Sequence, residues 1–323
     1  MKKKVLALAL ACLMTLSLAA CGESGGKPSG DDGTFTVGIC QLVQHDALDA
    51  ATKGFKDALT EKLGDKVKFE EGNASGDSAN CTTIINGFLA SDVDLIMGNA
   101  TPAVQAAAQA TADIPVLGTS VTDYASALDV SDWNGTVGTN VSGTSDLAPL
   151  DQQAAMIKEL FPDAKTVGLL YCSAESNSVY QCTVIEGYLK DMGFQVEWFA
   201  FTDTSNVSSV AQAACDASDV IYIPTDNTAA DNKEAIANVV IPANTPVVAG
   251  EEGICAGCGV ATLSISYYDL GYATGLMAYE ILVNGADPAT MEIQYAAEVT
   301  TKFNPSICDT LGVTVPESYT AIG

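Results

Sequence analysis

The chain has 323 residues, a formal net charge of −26 and no arginine. So acidic a surface repels nucleic acid and anionic lipid headgroups. Without a guanidinium fork, a bound carboxylate or phosphate must be met by backbone N–H groups, hydroxyls, helix N-termini or a lysine.

Lys2, Lys3 and Lys4 precede an apolar run over residues 5–18, and Ala19 and Ala20 precede Cys21. Residues 1–20 read as a secretory signal, too short and wrongly flanked for a stable membrane span. Leu18, Ala19, Ala20 and Cys21 resemble the bacterial lipobox, which implies cleavage before Cys21 and a diacylglycerol on its sulfur. Residues 21–33, in which Cys21 is followed by Gly, Ser, Asp, Glu, Lys and Pro alone, cannot bury a core and predict a flexible lipid-anchored tether. No later run reaches transmembrane length, so membrane contact is expected through the lipid alone. Once Cys12 leaves with the signal and Cys21 takes lipid, eight cysteines remain, an even count that permits disulfides in an exported chain. Cys255 and Cys258 are the nearest in sequence, and a bridge between them in a glycine-rich loop is the expected pairing.

The remaining length suffices for two domains. In the first half, strands are predicted over 35–41, 67–69, 93–98 and 114–119, with a short edge strand over 136–138. Helical periodicity places Leu48, Ala51, Phe55, Ala58 and Leu59 on one face, then Ile84, Ile85, Phe88 and Leu89, and an alanine-rich helix starts at Pro102. The second half repeats this grammar: strands over 166–172, 194–201, 220–223, 246–250 and 259–263 alternate with helices carrying Cys182, Ile185, Leu189 and Met192, then Val207, Val210, Ala211 and Ala214, then Ile236, Val239 and Val240. A helix over 270–282 and a strand over 293–300 return the chain. Strands separated by helices imply right-handed parallel βαβ units. The expected architecture is α/β, with two doubly wound parallel-sheet lobes joined by a multi-strand hinge. Lobe 1 is expected over 34–141 and 268–298, lobe 2 over 142–267 and 299–323.

Ligands of open α/β sheets bind beyond the carboxyl ends of the strands. Those ends carry amides, hydroxyls and carboxylates: 41–46, 99–102 and 119–123 in the first half, then 173–178, 225–228 and 251–252. Two such surfaces face to face make a polar clamp. Singly, residues such as Asp46, Asp77, Thr101, Asn177 and Thr228 are as readily helix N-caps; as a set they favour binding. His45 is the only histidine, so no metal cluster and no cofactor is expected, and no Gly-x-Ser-x-Gly elbow or phosphate loop supports catalysis.

Residues 41–49, 100–105, 121–123, 140–146, 175–178 and 224–228, spread in order over the chain, resemble the substrate-binding lipoproteins of ABC importers, specifically the aromatic amino acid branch (tryptophan, tyrosine, phenylalanine). The resemblance implies the type I periplasmic-binding-protein fold, a monomer that hands a small ligand to an importer permease, and no enzymatic activity. It implies that Gln41, Thr101, Thr122, Glu175, Asn177, Asp226 and Asn227 line the cleft, with hinge crossings at 140–145 and 263–267. Ser120, Glu251 and Asp146, from the strand ends and the matching stretch, complete the candidate set. The ligand ammonium would be met by Asp226 or Glu175, the carboxylate by N–H groups and hydroxyls around Thr101 and 120–122, and a ring by Tyr171, Tyr267 or Leu42. The cysteines at 40, 81, 172, 182 and 215 depart from the family pattern. Two readings compete: a nucleoside, sugar or branched-chain amino acid on the same lobes, or a secreted thiol-disulfide enzyme using Cys255 and Cys258. A receptor's sensor partner has the same fold.

Overall fold

A computed structural model describes residues 33–322; the expected signal, Cys21 and the tether up to residue 32 lie outside the described residues. The first half runs β1 (Phe35–Gln41), α1 (Asp46–Leu63), β2 (Val67–Asn73), α2 (Ser78–Ala90), β3 (Leu95–Asn99), α3 (Thr101–Ala110), β4 (Val116–Val121), α4 (Tyr124–Ala127) and β5 (Val141–Ser145). The second runs α5 (Leu150–Leu160), β6 (Thr166–Cys172), α6 (Ser176–Asp191), β7 (Gln195–Phe201), α7 (Val207–Ala217), β8 (Val220–Ile223), α8 (Asn227–Asp231), α9 (Lys233–Val240), β9 (Val247–Ala249), α10 (Glu252–Cys258) and β10 (Ala261–Ser264). The chain then returns through α11 (Tyr267–Asn284), β11 (Gln294–Tyr295), β12 (Thr300–Phe303), α12 (Pro305–Leu311) and β13 (Thr320–Ala321).

These strands form two sheets, ordered β11-β5-β4-β3-β1-β2 and β13-β12-β10-β9-β8-β6-β7. Pairing is parallel except where β12 runs against β10. Alternation along each strand feeds a core on both faces. In β1, Val37 and Ile39 face α1 and α11, whereas Cys40 faces α2 and α3. In β6, Leu169 and Leu170 enter opposite cores. The two-lobed α/β architecture is therefore present as expected, and the order 2-1-3-4 in one sheet and 7-6-8-9 in the other places a switch point after β1 and β3 and another after β6 and β8.

Local differences from the expected pattern have identifiable causes. Residues 136–138 form no strand, because the Asn134 side chain caps the Thr136 N–H at 3.1 Å and Gly138 turns at φ 77°. The strand beside β4 is instead β5, itself covered at the sheet edge by β11, and its five buried residues were expected to be a hinge; Gly143 adopts φ 148°, and a Cβ there would lie 2.1 Å from the Gly118 carbonyl oxygen. The expected strand over 293–300 splits into β11 and β12, which belong to different sheets. The chain thus passes between lobes at 146–149, 265–266 and 296–299. Cys255 and Cys258 are free thiols buried on helix α10, not a bridged loop. The helix directs the Cys258 thiol onto the Ile254 carbonyl at 3.4 Å, and burial pushes its pKa up to about 12. Among the described residues, no helix is long and apolar enough to cross a membrane.

Helix α11 is fixed to lobe 1 by its close approach to α1. A Cβ on Gly271 would sit 1.9 Å from the Ala51 carbonyl oxygen, and one on Gly54 2.1 Å from that of Tyr268. Because α11 follows a crossing, this contact also anchors the hinge. The substitution Gly271→Ala is expected to cost about 3 kcal/mol, the upper end of overpacking. Thermal unfolding should record that as a fall of about 6–12 °C; an unchanged midpoint would show that the helices do not meet here.

Candidate ligand-binding site

The loops after β1 and β3 and those after β6 and β8 meet across the waist. A cavity of about 260 Å³ lies between them, lined by Leu42, Val43 and Pro102 on one side and by Cys172, Glu175, Asn227 and Thr228 on the other. That volume is at the small end for ligand pockets. A larger pocket of about 970 Å³ opens beside the hinge against α11 and the last crossing, lined by Glu251, Tyr267 and Tyr295; Tyr295 is 57% exposed. The smaller cavity is the one at the switch points.

Among the described residues the buried charged side chains are Asp146, Glu175, Asp226 and Glu251, all of them acids. Three are already committed to backbone donors. Glu175 accepts from the Asn227 and Thr228 N–H groups at 3.1 and 2.8 Å, and from the Asn227 amide and Thr228 hydroxyl at 2.6 and 2.7 Å. Asp226 accepts from Cys172 N–H at 2.6 Å and caps α8 through Ala229 N–H at 2.8 Å. Burial, followed by the charge of Glu175, raises its pKa. Glu251 caps α10 through the Gly253 and Ile254 N–H groups. Asp226 and Glu175, expected to meet an ammonium, are instead occupied in holding the start of α8, which removes most of their capacity for a ligand.

Asp146 differs. It is the first residue of a crossing, and the side chains that donate to it are hydroxyls, Thr122 at 3.1 Å and Tyr267 at 3.0 Å. Burial raises its pKa to about 6. Its backbone N–H binds the Val121 carbonyl at 3.2 Å, which sets it beside the end of β4.

Among the described residues, six buried side-chain polar atoms have no hydrogen-bond partner: Asn99 Oδ1, Thr101 Oγ1, Ser120 Oγ, Asn177 Oδ1, Ser218 Oγ and Thr262 Oγ1. The first four stand at strand ends or helix starts on the facing loops. Such groups cost about 1–3 kcal/mol each when left unpaired. Backbone strain coincides with them: Ser120 has φ 56° and Ala100 φ 89°. Ala100 opens α3 and Glu175 opens α6 without a side-chain cap on either helix. Two hydroxyls and two amide oxygens therefore stand uncommitted at these strand ends and helix starts, although none of the four residues lines the 260 Å³ cavity itself.

Other expected residues serve the frame. The Gln41 amide donates to Val43 O at 2.8 Å and Asp49 at 2.6 Å, and accepts from Thr52 at 2.6 Å, bracing the loop against α1. Tyr171 packs edge-on against Trp198 at 5.3 Å within lobe 2. Leu42 does line the cavity, and Tyr267 faces Asp146.

The lobes also touch directly. Asn227 donates its amide N–H to Glu175, so its oxygen faces His45 Nε2 at 3.2 Å, and that nitrogen is the donor. Lys233 pairs with Asp46 across the gap at 2.7 Å, and the ammonium holds the Asp46 carboxyl below its usual range. The Lys233 stem crosses Gly257, where a Cβ would come within 2.5 Å of it. Sequence reasoning missed this latch: its partners are 187 residues apart, and only the glycine of the Cys-Ala-Gly-Cys stretch hinted at a close neighbour.

The model of the family described as ABC transporter substrate binding protein matches residues 36–322. The chain belongs to this family of solute-binding proteins. It is 34% identical over 291 residues to a protein named tyrosine-binding protein from Clostridioides difficile (strain R20291), covering 87% of this chain and 84% of that one. A domain from Streptococcus pneumonia, solved in complex with L-Trp, superimposes with a TM-score of 0.85 at 33% identity, covering 90% of this chain and all 100% of that one. A ligand-free, open substrate-binding protein with adhesive properties from Clostridium difficile superimposes with a TM-score of only 0.68 at 34% identity, covering 90% and 99%. At near-equal identity, the lobes lie closer to the L-Trp complex, in keeping with the bonds that span them here. The fold is the type I periplasmic-binding-protein fold.

Removing an unpaired hydroxyl should separate binding from stability. Thr101→Val and Ser120→Ala are expected to leave the unfolding midpoint unchanged or raised, because no internal hydrogen bond is lost. Each should weaken ligand binding about tenfold, equivalent to 1.4 kcal/mol. Loss of stability without loss of affinity would assign both hydroxyls to the frame.

Proposed function

We propose that the protein is an extracytoplasmic lipoprotein, tethered through Cys21, that captures one aromatic amino acid between its lobes and delivers it as a monomer to the permease of an ABC importer. The observation that carries this reading is the asymmetry of the buried charges. Asp146 is a buried carboxylate without a cation, bonded to the Thr122 hydroxyl two residues beyond the unpaired Ser120 hydroxyl. An ammonium on Asp146 and a carboxylate on the N–H groups and hydroxyls of Thr101 and Ser120 would satisfy both sets. Asn177, Asn227 and Glu175 close the opposite wall, with Asp226 and Glu251 shaping it from behind and Gln41 and Thr122 holding the loop and the carboxylate. An amino acid fits a cavity of 260 Å³ better than an oligosaccharide does. Leu42, Val43 and Pro102 offer the ring an apolar wall. The tyrosine-binding relative and the L-Trp complex support the aromatic class. The buried thiols of α10 weigh against the thiol-disulfide reading, since reactive cysteines have lowered, not raised, pKa values.

Calorimetry against the twenty amino acids tests the ligand class: tryptophan, tyrosine or phenylalanine should bind best, and failure of all three would remove the aromatic assignment. A pH series tests the ammonium site. In the ligand-free chain, burial favours protonated Asp146, which stabilises the fold at low pH, and that contribution is lost as pH rises through about 6. A bound ammonium favours the ionised form instead. Affinity should therefore fall as pH drops below about 6, by up to tenfold per unit, with uptake of ligand releasing a proton. Asp146→Asn should weaken binding and flatten the profile; an unchanged profile would place the ammonium elsewhere.

A further inference from the structure

His45 and Asp46, adjacent in lobe 1, carry the two side-chain bonds to lobe 2 described above, and they differ in what they touch. His45 reaches Asn227, which lines the 260 Å³ cavity and is oriented by Glu175, another lining residue. Asp46 reaches Lys233, and neither of that pair lines the cavity. The ion pair thus stands apart from the ligand, between the first residue of α1 and the first of α9. Lys53, Lys56, Lys190 and Lys302, by contrast, each pair with an acid of their own lobe. A cation at the start of a helix opposes the helix dipole, so α9 alone does not account for Lys233. Its path across the gap is built in. The Lys233 side chain is 23% exposed although that of its partner is 78% exposed. A Cβ on Gly257 would meet the Lys233 Cγ at 2.5 Å and its Cβ at 2.7 Å. Those atoms are at the root of the side chain, so they cannot swing clear without moving the ammonium. Glycine is a poor choice inside a helix, and here its missing side chain lets α10 and the lysine stem lie together. A stem packed in this way has already lost much of the freedom that an ion pair must otherwise overcome.

We infer that Lys233 is a positioning residue for ligand retention: paired with Asp46, it holds the lobes together over the cavity without touching what lies inside, and Gly257 is the residue that aims it. The inference rests on the reading that a ligand is enclosed between the lobes, and not on which ligand that is. The two interlobe bonds then divide the work. The His45–Asn227 bond is continuous with the cavity wall through Glu175, so it responds to an occupant. The Asp46–Lys233 pair is a fixed electrostatic bias toward closure that is the same for every occupant. Loss of that bias opens the lobes more often, and because a ligand leaves through the open form, it quickens release. Salt weakens an ion pair of this exposure, so the bias is screened away as ionic strength rises.

Small-angle scattering of the ligand-free mature chain tests this without any ligand. At about 0.01 M salt, Lys233→Met and Asp46→Asn are expected to give a larger radius of gyration than the unsubstituted protein; at about 1 M salt, where screening acts within about 3 Å, all three are expected to agree. Met keeps a stem over Gly257 and Asp46 is exposed, so both variants are expected to fold. Dissociation of L-tryptophan or L-tyrosine, followed by stopped flow at low salt, should quicken about threefold in each variant, within the range open to an exposed ion pair. The double variant should be no faster than either, because both substitutions remove one interaction. Gly257→Ala should act in the same direction and add nothing to Lys233→Met. Variants that scatter like the unsubstituted protein at low salt, or that release a bound amino acid no faster, overturn the proposal. If neither amino acid binds, the ligand assignment fails by itself, and the scattering still decides the role of Lys233.

Discussion

Among the described residues of a chain with no arginine, four carboxylates and no lysine are buried, and the rest of the structure is organised by how those carboxylates are neutralised. Burying an unpaired charge is expensive, so each must find donors or hold its proton. Glu175, Asp226 and Glu251 find theirs in the backbone at the starts of α8 and α10. Those bonds fix the loops of lobe 2 that face the waist. Asp146 has two hydroxyls as its side-chain partners and is left with the raised pKa that burial gives a carboxyl lacking a cation. Its position matters as much as its charge: it begins a crossing between lobes and is held from β4 on one side and from α11 on the other. On the proposed function, an ammonium bound at Asp146 would act directly on this crossing.

Closure follows from the same arrangement. The lobes meet through His45 with Asn227 and Asp46 with Lys233, one bond hydrogen-bonded through to Glu175 and the other exposed. Exposed ion pairs contribute little on their own. A latch of this strength biases the lobes without locking them, so a ligand that completes the unpaired hydroxyls can decide between open and closed. That suits a carrier that must both hold and release.

Much of the fold was legible in the sequence because strand and helix periodicities are local. The face of α1 with Leu48, Ala51, Phe55, Ala58 and Leu59 is buried as its spacing requires. The element hardest to read was β5, whose Val-Ser-Gly-Thr-Ser sequence is polar yet wholly buried, because its hydroxyls bond across elements: Ser142 to Met291 O, Thr144 to Thr274 and Ser145 to Thr122 O. Helix α10 was hidden by its glycines, one of which exists to admit Lys233. For the candidate site, the strand-end loops read from the sequence do meet across the waist, but what each side chain does there was not legible. Whether a carboxylate at a strand end caps a helix or stays free for a ligand depends on which N–H groups the fold turns toward it. Asp226 and Asp146 look alike in sequence and are opposites in space.

The central claim is that Asp146 is the buried charge kept for the ligand's ammonium, and the measurement that tests it most directly is a crystal structure of the protein grown with L-tryptophan or L-tyrosine. The account predicts the amino acid between the two switch points, its nitrogen in hydrogen-bond contact with Asp146 and its carboxylate against Thr101 and Ser120. An ammonium seated on Glu175 or Asp226, or a ligand lodged in the hinge-side pocket by Tyr295, would contradict it.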